Sequence, residues 1–128
     1  MDAVAIFATF LTVLAMDAVW LTYRFSYHSS LFQAIQKSPL QARIVPAFLI
    51  YILIPFAVYI WAIQSSKSIG QAAAKGALVG AILYAFYDLT NYATFTKWTL
   101  EMTVIDILWG IVVCSVSAAS GFYFLKKV

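Results

Sequence analysis

Four long apolar segments, separated by short polar ones, set the strongest constraint on how this chain can fold. They cover residues 3–23, 44–64, 71–95 and 102–125. Each has the roughly 20 residues that an α-helix needs to cross a hydrocarbon core of about 30 Å. Only 10% of the residues are charged, against about 25% in soluble domains. Because so few charged side chains cannot cover a soluble surface, the sequence predicts a multi-pass integral membrane protein.

The connections between these segments predict an all-α membrane protein with a single domain over residues 1–128. Helices joined by short loops alternate in direction, so the four transmembrane helices should form an antiparallel up-down-up-down bundle. We call the membrane side that holds both chain ends side A, and the opposite side is side B. Pro55, in the middle of the second segment, should kink that helix because proline removes a backbone hydrogen bond.

The longest connection, residues 25–43, predicts a short amphipathic helix that lies at the side-B interface between helices 1 and 2. Three apolar side chains would share one of its faces: Leu31, Phe32 and Ile35. Ser29 or Ser30 would cap its start, and Pro39 would end it.

Small residues open the third segment, where Gly76 and Gly80 form a G-x-x-x-G pattern. Glycines with this spacing share a helix face and let a second helix approach closely. We interpret the pattern as a packing face for another helix of the same chain, in preference to a contact between two copies.

The basic residues neither orient the chain nor indicate a nucleic-acid partner. Four lie on each side: Arg24, Lys37, Arg43 and Lys97 on side B, and Lys67, Lys75, Lys126 and Lys127 on side A. Because the two numbers are equal, the positive-inside rule assigns no orientation. The charges form no patch or stripe, so we expect a lipid bilayer and no nucleic acid as partner.

Three aspartates lie inside the apolar segments, and the helix directions place them at a similar depth. Asp17 and Asp88 each precede the side-B end of their helix by about seven residues, which is ~10 Å of helix. Asp106 follows the side-B start of helix 4 by about five residues, or ~8 Å. Burying an ionisable group at this depth costs at least ~2.5–3.5 kcal/mol, so such groups usually face a bundle interior or cavity. The sequence therefore predicts a polar pocket or half-channel that opens toward side B.

Each aspartate is followed three residues later by a polar side chain on the same helix face. The pairs are Asp17 with Trp20, Asp88 with Asn91, and Asp106 with Trp109. We expect a hydrogen bond within each pair, with Tyr84 adding a hydroxyl one turn before Asp88. The predicted proton- or cation-binding site is Asp17, Asp88, Asn91 and Asp106, supported by Trp20, Tyr84 and Trp109.

Three close carboxylates cannot all be ionised in a low dielectric, so at least one should hold a proton near neutral pH. Such a cluster could carry protons, bind a cation, or act as a general acid and base. The alternative is structural, with the acids joining helices through hydrogen bonds. A single acid near the interface can also extend its carboxyl group to the membrane surface, and of the three acids Asp106 best fits such a merely interfacial position.

Other catalytic and metal-binding patterns are missing from the sequence. His28 is the only histidine, so neither a histidine-rich metal site nor a Ser-His-Asp set can be built. The carboxylates lack a D-D-x-x-D-type spacing, and we assign no metal. The single Cys114 lies in an apolar run and is interpreted as a small apolar filler. The sequence identifies no cofactor.

Several stretches resemble a known family: YAFYDLTNYATF, VIDILWG, MDAVWL and PAFLIY, together with the spacing of Gly76 and Gly80. The resemblance is to domain-of-unknown-function family 2177, small predicted membrane proteins of bacteria and some large viruses. It covers nearly the whole chain and is most specific at residues 88–91 and 106–110. It implies a four-helix membrane fold with Asp17, Asp88, Asn91 and Asp106 in the family signature, and it implies no activity.

Three functions fit these features. The leading hypothesis is a proton- or cation-linked transporter or conductance that uses the carboxylate cluster. Four spans leave little room for a pore, so this hypothesis expects a homo-oligomer or a larger membrane assembly. The second is a membrane enzyme that acts on a lipid or isoprenoid, with paired carboxylates for proton transfer. The third is a non-catalytic accessory subunit of a larger membrane complex.

Overall fold

The computed structural model describes residues 1–125, which form five α-helices and no strand. The helices are α1 (Ala3–Tyr23), α2 (Phe25–Gln36), α3 (Ile44–Val58), α4 (Ile69–Thr94) and α5 (Leu100–Tyr123). A π-helical turn, Tyr59–Ile63, extends α3. Lys126 and Lys127, which the charge count places on side A, lie outside the described residues.

Four of these helices are long and apolar enough to cross a membrane, as the sequence predicts. They are Ala3–Tyr23, Ile44–Ile63, Ile69–Thr94 and Leu100–Tyr123. Side-chain caps fix the start of three of them. Asp2 accepts from the Ala5 N–H at 3.1 Å, Ser68 from Gln71 at 3.1 Å, and Thr99 from Met102 at 3.0 Å. Each cap satisfies a backbone donor that the first helical turn would otherwise leave unpaired.

The closest helix pair is α4 with α5, and glycines make this approach possible. A Cβ on Gly76 would lie 2.5 Å from the Cys114 carbonyl oxygen and 2.6 Å from the Ala118 Cβ. A Cβ on Gly80 would overlap the backbone carbonyl of Gly110. The interpretation of the G-x-x-x-G pattern as a packing face within the chain is therefore confirmed.

The side-A half of the bundle is closely packed. Its core includes fully buried side chains from α1, α3, the π-helical turn and α5: Val13, Val58, Ile63, Val113 and Cys114. Among the polar groups of this half, Thr9 donates to the Ala5 carbonyl at 2.8 Å and Thr12 donates to the Ser120 hydroxyl on α5 at 2.9 Å, whereas the buried Ser117 hydroxyl has no partner within the described residues. The buried side chains of this half therefore form a packed core.

Helix α3 runs through Pro55 as α-helix, and its regular geometry ends one turn later. There the Gln64 N–H donates to the Tyr59 carbonyl, five residues back, at 2.9 Å. Helix α4 packs on this π-helical turn but touches the rest of α3 only sparsely. The side-B halves of α3 and α4 therefore stand apart, and the space between them belongs to the candidate site.

Helix α2 covers the side-B end, and the predicted capping at Ser29 or Ser30 is wrong. The helix begins at Phe25, one residue after α1 ends, and both serines lie inside it. A single residue, Arg24, makes the turn, and its carbonyl accepts from the His28 N–H at 3.0 Å. Neither serine caps α2, because the first hydrogen bond of the helix already runs from the His28 N–H to the Arg24 carbonyl, upstream of both serines.

The predicted apolar face of α2 is present. Leu31 packs in a small cluster with Trp98 and Met102, and Phe32 and Ile35 lie against the same cluster. The helix ends at Gln36, where Lys37 adopts a left-handed conformation with φ 58°. This small cluster packs α2 against the loop between α4 and α5 and against the start of α5.

Candidate functional site

The three membrane-depth aspartates all point into the bundle. Asp17 on α1 and Asp106 on α5 are each 8% exposed, and Asp88 on α4 is fully buried. Asp17 and Asp106 lie close enough for their charges to interact, and Asp88 contacts Asp106. Three helices thus bring their carboxyl groups to one layer, the arrangement that the helix directions predict.

Asp17 is held by two donors from other helices. The Trp109 Nε1–H donates to one of its oxygens at 2.8 Å, and the Tyr51 hydroxyl donates to the other at 2.9 Å. Trp109 also stacks on Trp20, with ring centroids 4.5 Å apart and planes 5° apart. Two such hydrogen bonds from two other helices hold the Asp17 carboxyl group at a fixed position.

The expected hydrogen bonds within each helix are not the ones that form. Trp109 donates to Asp17 rather than to Asp106 on its own helix. Trp20 Nε1 and both carboxyl oxygens of Asp88 are buried with no hydrogen-bond partner among residues 1–125, so the expected bond between Asp88 and Asn91 is not formed. Two side chains three residues apart on one helix point in nearly the same direction. When both point into the bundle, each meets side chains of the facing helices rather than its neighbour on the same helix.

Asp88 and Asp106 form a carboxyl–carboxyl contact. Neither oxygen of Asp88 accepts from an N–H or O–H donor elsewhere in the described part of the chain. Two carboxyl groups in contact are stable together only if they share a proton or hold a cation between them. Asp88 lies behind Asp106, so Asp106 presents this pair to the space in front of it.

That space is a cavity of about 720 Å³ in the side-B half. Asp17, Asp106 and Tyr84 contribute polar groups to a wall that is otherwise largely apolar and aromatic. Most of the exposed lining residues come from α3 and α4: Ile50, Leu53, Trp61 and Phe86. The mouth therefore opens between α3 and α4, toward the lipid phase. A smaller apolar depression of about 300 Å³ between α1 and α3 is lined by no ionisable side chain.

His28 and Tyr51 also line the cavity, and the sequence reasoning missed both. His28 is 7% exposed, and its Nε2 has no partner within the described residues. Burial lowers the pKa of His28, an effect that the Asp106 charge opposes and the Arg24 charge reinforces. The signals were present in the sequence, since His28 precedes Leu31 by three residues on the same face of α2. Tyr51 lies seven residues after the side-B start of α3, at the depth of Asp17.

The side-B end of the cavity is covered by α2 and an ionic contact. The Arg24 guanidinium lies 3.7 Å from the Glu101 carboxylate and 4.3 Å from the centre of the Tyr27 ring. The Tyr27 hydroxyl is hydrogen-bonded to that of Thr99. With packed side chains toward side A and this cover toward side B, the cavity opens laterally, where its lining residues are exposed.

The carboxyl groups share a layer but do not converge on one point. Within residues 1–125, no group of three or more His, Cys, Asp or Glu side chains has the geometry to hold a metal ion. Asn91 is half-buried and lies outside the cavity lining. Of the predicted site residues, Asp17 and Asp106 line the cavity, with Asp88 directly behind Asp106.

Fold and site together define a polytopic membrane protein with a laterally open, carboxylate-bearing cavity. The chain belongs to a family described as predicted membrane protein (DUF2177), whose model matches residues 3–123. No curated protein and no solved structure shows significant similarity to it.

Proposed function

We propose that the protein binds an amphiphile of the lipid or isoprenoid class in the side-B cavity. Its polar group would sit at Asp17 and Asp106, and its apolar chain would leave between α3 and α4. The observation that carries this proposal is the shape of the cavity, about 720 Å³ with a mouth flanked by apolar side chains of transmembrane helices.

The distribution of polar groups supports this choice of ligand. Ligand sites combine a mostly apolar wall with a few converging polar groups that fix orientation. Here the polar groups lie at the inner end, and the exposed apolar side chains Leu53 and Phe86 lie at the mouth. A molecule with one polar end and one apolar end matches that gradient, whereas a small hydrophilic solute would leave the apolar wall unpaired.

A cavity-filling substitution tests the proposal. In Ala57→Trp, a bulky ring enters the cavity from α3, and in the control Ile60→Trp the same ring lies outside the cavity lining. We expect native mass spectrometry of gently extracted protein to show one bound amphiphile per chain, lost in Ala57→Trp and retained in Ile60→Trp. Melting temperatures establish that both variants are folded. An absence of bound amphiphile in every form, or equal occupancy in both variants, would contradict the proposal.

A second candidate is proton- or cation-linked transport, which the contact between Asp88 and Asp106 favours. A carboxyl pair that shares a proton or cation beside a cavity is the kind of group that such a cycle loads and unloads. Because the side-A half is packed, we propose that transport would require a homo-oligomer or a larger membrane assembly. The Gly76 and Gly80 face is covered by α5, so the contact between copies would use another surface.

Reconstituted liposomes distinguish this candidate from binding alone. Asp88→Asn removes the carboxyl group that would share a proton with Asp106 and leaves the cavity lining unchanged. Transport predicts a proton or cation flux that is lost in this variant while the melting temperature is retained. Native protein without flux above that of empty liposomes would exclude the transport candidate and leave amphiphile binding untouched.

A further inference from the structure

We infer that the polar end of the bound amphiphile is an organic ammonium group. This inference rests on the proposed amphiphile site and specifies its ligand by charge. It comes from three independent features of the cavity: its ionisable lining, its aromatic rings and an unpaired histidine nitrogen.

The ionisable lining is acidic. Asp17 and Asp106 line the cavity, and the part of the lining that the structure describes includes no lysine or arginine. The nearby Arg24 lies outside this lining, 3.7 Å from Glu101 and 4.3 Å from the centre of the Tyr27 ring, and its buried Nε and Nη2 have no hydrogen-bond partner within the described residues. A phosphate or carboxylate head group at Asp17 and Asp106 would therefore meet carboxyl groups and no cation within the lining, so the cost of desolvating its charge would not be compensated there.

Aromatic rings surround the carboxylates. Trp20 and Trp109 form a stacked pair beside Asp17, and Tyr51, Tyr84, Tyr87 and Trp61 add further rings to the lining. Ring faces attract cations, and indole does so best among the side chains. Aromatic walls with a carboxylate between them are the arrangement that holds amine and quaternary ammonium ligands.

His28 supplies the third feature. It is more than nine-tenths buried, lines the cavity, and its Nε2 has no partner among the described residues. A buried polar atom left unpaired is costly unless a ligand satisfies it. A neutral imidazole nitrogen accepts a hydrogen bond from an ammonium N–H, so His28 and Asp106 would bind the same charged group from two sides.

The ligand preference is measured with three single-chain amphiphiles of equal length that end in an ammonium, a hydroxyl or a phosphate group. Binding to the native protein is followed by tryptophan fluorescence in maltoside micelles, which themselves contain no ammonium group. We expect the ammonium amphiphile to bind about tenfold more tightly than the alcohol, and the phosphate to bind more weakly than both.

Two variants locate the preference. Asp106→Asn should reduce the advantage of the ammonium over the alcohol, and Asp2→Asn, which removes an acid at the side-A start of α1 and keeps a side chain that can cap the helix, should leave it unchanged. Equal binding of the ammonium and alcohol amphiphiles by the native protein, or tightest binding of the phosphate, would overturn the ammonium inference while the amphiphile site stands. If none of the three binds, the proposed function itself fails. These outcomes are read on the native protein, so they hold even if Asp106→Asn does not fold.

Discussion

The two halves of this bundle are built from the same four helices, but one half is closely packed and the other encloses a cavity. Toward side A, glycines and small side chains bring the helices together, and the core is closed by residues such as Val58 and Ile63. Toward side B, α3 and α4 stand apart around a cavity that holds charged groups. Burying carboxyl groups and keeping a cavity both cost stability. The side-A half therefore stabilises the fold, and the side-B half carries the cavity in which we propose that the ligand binds.

The largest expected effect lies in the side-A contact of α4 with α5. In Gly80→Ala, the added Cβ would overlap the Gly110 backbone carbonyl, which cannot rotate away as a side chain does. We expect a loss of about 1–3 kcal/mol, toward the upper end of that range because the obstacle is backbone. The measurement is the melting temperature in detergent.

Gly70→Ala is the matched control, since no atom lies within 4 Å of an added Cβ there. It should not lower the melting temperature. Equal melting temperatures for the two variants would show that the α4–α5 contact does not carry the stability of the fold.

Substitution by asparagine should affect Asp17 and Asp88 differently. Asp17→Asn replaces an oxygen that accepts from Trp109 or Tyr51 with an NH₂ group that faces a donor. It should cost about 1–3 kcal/mol. Asp88→Asn places an N–H donor against the Asp106 carboxyl, so we expect no loss of thermal stability. A larger loss at Asp88 than at Asp17 would show that the Asp88–Asp106 contact, too, is structural.

Tyr51→Phe sharpens the account of Asp17. It removes one hydrogen bond to the carboxylate and leaves the ring in place, so a loss of about 0.5–1.5 kcal/mol is expected. Tyr92→Phe, on an exposed part of α4, is the control and should change little. Chemical denaturation in mixed micelles measures both. If Tyr51→Phe were as stable as the native protein, the hydrogen bond from Tyr51 to Asp17 would not contribute to the stability of the fold.

The smallest effect concerns pH and the α2 cover. Burial lowers the pKa of His28 below its ordinary value of 6.5, with Asp106 opposing the shift and Arg24 adding to it. The unfolded chain therefore binds the proton first as pH falls, and the folded state loses stability below pH 6.5.

His28→Gln should remove this contribution. The melting temperature of the native protein, followed from about pH 8 to about pH 5, should fall more than that of the variant. Parallel curves would indicate that the imidazole is not buried in the folded state.

Hydropathy and helix direction predict much of this structure. The span over residues 3–23 agrees with α1, and the remaining spans differ from the observed helices by a few residues. The depth of Asp17, Asp88 and Asp106 follows from counting residues along helices of known direction. Depth is a one-dimensional property, and a single sequence specifies it well.

The rotation of each helix about its axis and the separation between helices are harder to predict from the sequence. The bond from Trp109 to Asp17 depends on how α5 is turned toward α1, which spacing within α5 does not determine. The cavity depends on the divergence of α3 from α4 above the π-helical turn Tyr59–Ile63, which the position of Pro55 did not predict. The start of α2 was missed because Arg24 alone makes a turn that sequence rules assign to longer connections.

Thiol reactivity tests the central contrast most directly. Native Cys114 lies fully buried in the packed half, whereas Leu83 lines the cavity. In Leu83→Cys combined with Cys114→Ser, we expect rapid reaction with a small membrane-permeant thiol reagent and protection by a bound amphiphile. Cys114 in the native protein should react only after unfolding. Equal reaction rates at the two positions, or no protection at position 83, would contradict a packed half below an open ligand cavity.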